Sequence, residues 1–246
     1  LEPDLDVSGK PMCMAQHKNL LGANRVPGLK RDTLETHPYS SNVVVLYHDH
    51  LFWFSLCDSD GVLSVEDVCS NLKEIVEKVK ILPPVESPVQ VMTTENRTMW
   101  AVIRSLLLKN PVNSRTLDII EKSFLVVCLE DDAPDSMDSE SPLFLHRDGC
   151  NRWMDKSMQL VVCANGRVGM PFEHSGFDGS TFLRMANEVY PETNGDDVHK
   201  GVTSFAKRVS PEQLTWELTP EVITAIEKAK ANATRLIQLI DIHAFD

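Results

Sequence analysis

An Asn-Gly pair between two apolar runs is the strongest short-range hairpin signal, and here Asn165-Gly166 joins residues 158–164 to residues 167–172. The tightest turn of this kind asks for positive φ at both central positions, which asparagine and glycine tolerate. A hairpin fixed in register by its turn ends at a fixed place. This one ends on Glu173-His174-Ser175-Gly176-Phe177-Asp178-Gly179. Histidine titrates around 6.5 when unperturbed, so neutral imidazole is a usable base near pH 7, and His174 is the candidate general base. Glu173, Ser175 and Asp178 surround it as active-site support. Gly179 permits a tight path into a helix expected over residues 180–190.

Just upstream stands the polar run Asn151-Arg152-Trp153-Met154-Asp155-Lys156-Ser157. Two readings are open. An arginine and a lysine close together suit a phosphate. Alternatively, Asn151, Arg152, Asp155 and Lys156 form ion pairs and hydrogen bonds that hold the His174 hairpin in place, and this supporting role is favoured.

The rest of the chain alternates helix and strand, as an α/β layer requires. Residues 11–22 read as a short apolar or helical segment, and Asn24-Arg25-Val26-Pro27-Gly28 as a Pro-Gly turn. Two β-rich runs flank His48-Asp49-His50 and predict a second hairpin. With a turn between them and no third ligand, the two histidines are not read as a metal pair, and no metal is expected. Ser64 and Asp67 have capping-box spacing ahead of a helix to about Lys80 with Val65, Val68, Leu72, Ile75, Val76 and Val79 on its buried stripe. Residues 89–92 read as a short buried strand. Helices are expected from Arg97 to about Lys109, with Trp100 in the core, and over residues 114–123. Residues 124–129 read as a doubly buried strand. The acid-, Ser- and Pro-rich residues 130–141 read as a solvated surface loop. Residues 191–201 form a polar loop, residues 213–218 a strand, and Thr219 caps a long helix with Pro220 at its first position. Residues 240–245 are expected as a last strand.

Composition removes several function classes. The 246 residues carry 24 basic and 36 acidic side chains, a net charge of -12, which argues against a broad nucleic-acid or anionic-membrane surface. No apolar run reaches the eighteen or so residues of a membrane span. The six cysteines, without paired spacings and several in apolar segments, read as reduced buried thiols in a reducing compartment.

Taken together, Asn151-Arg152-Trp153-x-Asp155-Lys156-Ser157 and Glu173-His174-Ser175-x-x-Asp178-Gly179 resemble the choline/carnitine acyltransferase family. Arg25-x-Pro27-Gly28 and Thr94-Glu95-Asn96-Arg97 with Trp100 support the resemblance from two further places. Leu145-His146-Arg147-Asp148-Gly149 departs from the family's usual Leu-His-Gly. The resemblance implies a chloramphenicol-acetyltransferase-like domain, a mixed sheet with flanking helices. It also implies acyl transfer between coenzyme A and the hydroxyl of carnitine, with coenzyme A as substrate and no permanently bound cofactor. An acidic residue at the place of Asp178 is implied to pair with an arginine from the other half of the enzyme. Residues 1–246 are expected to be the N-terminal-half catalytic domain of a longer two-domain enzyme, inactive alone without its C-terminal half. The motif wording leans towards mitochondrial long-chain carnitine enzymes, with a mitochondrial or peroxisomal location suspected. Choline acetyltransferase and a non-catalytic interaction domain are the alternatives.

Overall fold

The computed structural model describes residues 2–193 and 206–242. A 3₁₀ turn, Met14–Asn19, leads into an antiparallel hairpin of β1 (Ala23–Val26) and β2 (Thr33–Thr36), so the Arg-Val-Pro-Gly stretch lies on β1 and the connection after it. A second hairpin pairs β3 (Asn42–Tyr47) with β4 (His50–Ser55). Its two-residue turn puts His48 and Asp49 at φ of 47° and 66°, the mirror-image geometry that matches strand twist.

A small ribbon of β5 (Cys57–Asp58) and β6 (Gly61–Val62) precedes α1 (Val65–Val79), where the Ser64 side chain accepts the Asp67 amide as its spacing predicts. Next come α2 (Arg97–Leu107), capped by Asn96, and α3 (Pro111–Lys122), which begins earlier than expected because Asn110 caps it and Pro111 occupies the first turn. They are followed by β7 (Leu125–Glu130), α4 (Met137–Leu145), β8 (Gln159–Cys163), β9 (Val168–Gly169), α5 (Gly179–Thr193), β10 (Glu212–Leu214) and α6 (Pro220–Ile237).

Six strands form one sheet in the order β10-β4-β3-β7-β8-β9, with β3, β7 and β8 parallel and the outer strands antiparallel to their neighbours. The alternation in β3 explains its central place. Val44 and Leu46 enter a core shared with Trp100, Ile103, Leu107, Leu117 and Ile120 from α2 and α3, and with α6. Val43, Val45 and Tyr47 enter the opposite core, against Ile75 and Val79 of α1. A strand buried on both faces belongs in the parallel interior.

Six expectations need correction. Residues 89–92 lie in a 3₁₀ helix, Val89–Thr94, not a strand; a short apolar run does not distinguish the two by periodicity. Residues 130–141 are not all loop, because Ser136 and Ser139 form a reciprocal capping box that starts α4, and Glu130 is buried at the end of β7. The Asn-Gly turn contains one left-handed residue, Gly166 at φ 81°. Gly166 donates to the Cys163 carbonyl and Cys163 to that of Arg167, which makes a three-residue loop with a bulge, not the two-residue turn. Residues 167–172 pair regularly only at Val168 and Gly169, then once more where Phe172 bridges Met158, because Pro171 lacks an amide for the ladder. Residues 213–218 shorten to β10, which pairs with Leu51–Trp53 at the sheet edge. Helix α5 continues past residue 190, the remainder of the expected polar loop falls outside the described residues, and so does the last strand from residue 243.

Candidate active site

Asn151, Arg152 and Lys156 are fully buried, and Asp155 nearly so. Burial of charge is costly unless it is compensated; Arg152 and Asp155 are ion-paired, and Lys156 is held by backbone carbonyls. Arg152 Nη1 donates to Glu130 Oε1 and to the Asn151 carbonyl, and Nη2 to the Leu143 carbonyl at 2.6 Å. Asn151 Nδ2 donates to Glu130 Oε1 and to the Leu129 carbonyl, both at 3.0 Å, while Arg147 reaches Glu130 Oε2 at 2.6 Å. Arg147 stands at φ 48°, in the left-handed region, with its guanidinium on Glu130. Lys156 Nζ donates to the Ile120 and Glu121 carbonyls at the end of α3. Desolvation lowers the Lys156 ammonium to about 7, against the pull of Glu121. Neither basic head group of this run reaches the surface, so neither offers a phosphate an exposed cation.

Asp155 begins a second chain of charges. Its Oδ2 accepts the Trp100 indole at 2.7 Å and its Oδ1 accepts Arg97 Nη1 at 2.5 Å. Burial raises the Asp155 carboxyl to about 6 despite Arg97 and Trp100. Arg97 Nε continues to Asp32 Oδ2 at 2.7 Å, which Arg25 Nε also reaches at 2.7 Å. Burial works to raise the Asp32 carboxyl, but the Gly28 amide and the two arginines overcome it and hold it below the usual range. Arg25 Nη1 then bonds Glu173 Oε1 at 3.0 Å. Arg25, Asp32 and Arg97 were not singled out as site residues from the sequence; the available signal was that each lies in or beside a motif and each needs an opposite charge.

Glu173 is the hinge between this frame and the histidine. Its amide donates to the Ser157 carbonyl at 3.1 Å, and its carboxylate accepts the Ser175 amide at 2.9 Å and the Ser175 hydroxyl at 2.7 Å. Ser157 in turn donates to the Leu20 and Ala23 carbonyls. The loop is also seated from below, where Phe172 stacks on Phe177 and Phe182, in contact with Leu20 and Met158. Asn19 Nδ2 donates to the Gly176 carbonyl at 2.8 Å.

His174 itself faces outward, with its side chain 69% exposed. Its ring lies over Phe172 at 5.9 Å, and Nε2 is 3.4 Å from Asp178 Oδ1. Asp178 sits at the start of α5, where its amide and the Thr181 hydroxyl donate to Gln16 Oε1. A cavity of about 580 Å³ opens beside it, lined by Asp178, Ser180, Thr181, Arg184, Gln16 and His17. The hairpin carries this loop past the amino ends of β7 and β8. At the other end of the sheet, His48 Nε2 lies 2.6 Å from Asp131 Oδ2, while His50 is buried on β4. The two histidines expected not to be metal ligands thus lie in different surroundings.

A mixed sheet with flanking helices is the architecture of a chloramphenicol-acetyltransferase-like acyltransferase domain. The family model of choline/carnitine O-acyltransferase matches residues 1–246, and the chain belongs to that family. A carnitine O-acetyltransferase of Rattus norvegicus is 30% identical over 251 residues, covering 96% of this chain and 40% of the relative. A choline O-acetyltransferase of Mus musculus is 30% identical over 255 residues, 98% of this chain and 40% of the relative. A mitochondrial carnitine O-palmitoyltransferase 2 of Rattus norvegicus is 30% identical over 240 residues, 96% of this chain and 36% of the relative. The chain thus spans about 40% of the length of these relatives. Among the described residues no helix is long and apolar enough to cross a membrane.

Proposed function

We propose that this chain is the histidine-bearing half of a two-domain carnitine O-acyltransferase, with His174 as general base. The observation that carries the proposal is the exposed imidazole on a loop whose neighbouring residue is tied into a buried ion-pair frame. In the forward direction His174 takes the proton of the carnitine hydroxyl as the oxygen attacks the acyl thioester carbonyl. The tetrahedral intermediate collapses with cleavage of the carbon–sulfur bond, and the imidazolium returns the proton to the departing coenzyme A sulfur. The same residue serves both directions and no acyl-enzyme forms. Asn151, Arg152, Asp155 and Lys156 act from below as framework, and Asp178 pairs with an arginine supplied by the other half.

Choline is the second reading, because a choline O-acetyltransferase matches this chain at the same 30% identity as the carnitine enzymes. The test is thiol release from acyl-coenzyme A of several chain lengths by the full-length protein, with carnitine or choline as acceptor. Turnover with carnitine at least tenfold above choline is expected; the reverse preference overturns carnitine, and turnover with neither overturns the enzyme. Residues 1–246 alone are expected to show none.

A further inference from the structure

Arg25 joins the buried charge chain to the residue beside the histidine. Its guanidinium spans two acids, with Nε on Asp32 at 2.7 Å and Nη1 on Glu173 at 3.0 Å. A planar fork holds two carboxylates at once, whereas an ammonium is a point donor. The arginine's own backbone is fixed, since its amide donates to the Asp155 carbonyl at 2.8 Å and its neighbour Asn24 bridges to Lys156. Glu173 also binds both the amide and the hydroxyl of Ser175, so the residues on either side of His174 are tied to each other by the carboxylate that Arg25 grips.

We propose that Arg25 is a positioning residue for acyl transfer: through Glu173 it holds the His174 loop in reactive geometry and balances the carboxylate next to the imidazole. This rests on the reading of His174 as base. Without Arg25, the Glu173 carboxylate keeps only the Ser175 amide and hydroxyl, and the His174 loop loses its side-chain tie to the buried charge chain.

The experiment measures kcat and KM, with thermal unfolding, for full-length Arg25→Ala, Arg25→Lys, Arg25→Ala/Glu173→Gln and His174→Ala. Misplacement of a reacting group by about 1 Å costs on the order of 100-fold, so Arg25→Ala is expected to lose about 10- to 100-fold in kcat with KM nearly unchanged. Adding Glu173→Gln is expected to cost little beyond Arg25→Ala, since both changes break the same link. Arg25→Lys, which keeps the charge but not the fork, recovers part of kcat, and it serves as the test where the alanine variant does not fold. Unchanged kcat, a loss carried by KM, or a loss that tracks unfolding alone overturns the proposal. His174→Ala that retains more than about a tenth of activity overturns the underlying base assignment instead.

Discussion

The two polar signatures of this chain meet at Glu173 and have opposite surroundings. Arg152 and Lys156 are 0% exposed, whereas the side chains of His174 and Asp178 are 69% and 66% exposed. In the first segment every charge is spent on other protein groups, so it contributes shape; in the second the nitrogen of the proposed base is left open to solvent. Substitutions should therefore cost stability in one and rate in the other.

His174→Ala is the most direct way to break that contrast. General-base catalysis is typically worth about 100- to 10,000-fold, and the full-length variant should lose on that order in kcat/KM. Its unfolding temperature should stay within a degree or so of the parent, since an exposed side chain away from caps and cores contributes about 0.5 kcal/mol or less. A large drop in stability would show that the histidine belongs to the frame.

Arg152→Ala makes the converse test. Removing one partner of a buried ion pair costs about 3–5 kcal/mol, because the other charge is left without compensation. Glu130 keeps Arg147 and Asn151, so the lower end is expected. The urea midpoint should fall, and soluble yield with it. A variant as stable as the parent but slow would mean that Arg152 acts on the reaction and not on the fold.

The two segments also differ in how much of them was legible. Helix caps could be read because their partners are three residues apart, as at Ser64 and Thr219. The His174 hairpin was legible from Asn165-Gly166, although its turn type was not, since type depends on whether one or two residues take the left-handed region. The charge chain was hidden because its links span 148 residues from Arg25 to Glu173, 65 from Arg97 to Asp32 and 58 from Arg97 to Asp155. Glu130 was read as a loop acid for the same reason. Its partner Arg152 lies 22 residues on, and nothing local marks an acid that will be buried.

Asp178→Asn sharpens the exposed side of the comparison. The Asp178 carboxylate, 3.4 Å from His174 Nε2, is proposed to pair with an arginine of the other half. Removing that charge in the full-length protein should lower kcat/KM with folding unchanged, and changing the partner arginine as well should cost less than the sum of the two single changes, as coupled residues do. Strict additivity of the two changes would mean that Asp178 has no such partner.

Lys156→Met tests the buried side through pH. The folded ammonium titrates at about 7 and its ordinary value is 10.5, so between those values the unfolded chain binds a proton that the folded chain has shed. Stability then rises with pH across that window. The contribution is fully present above the ordinary value and is lost as pH falls through about 7. One proton limits the slope to about 1.4 kcal/mol per pH unit. Methionine has similar length and no charge, so the variant should be flatter and should gain on the parent as pH is lowered from 10 to 7. Other groups that titrate in this range are common to both chains and cancel in the difference. The comparison is the difference in urea midpoint between the two proteins at each pH. Parallel profiles would show that the Ile120 and Glu121 carbonyls at the end of α3 hold the lysine charged throughout, as a cation at a helix C-terminus is favoured to be.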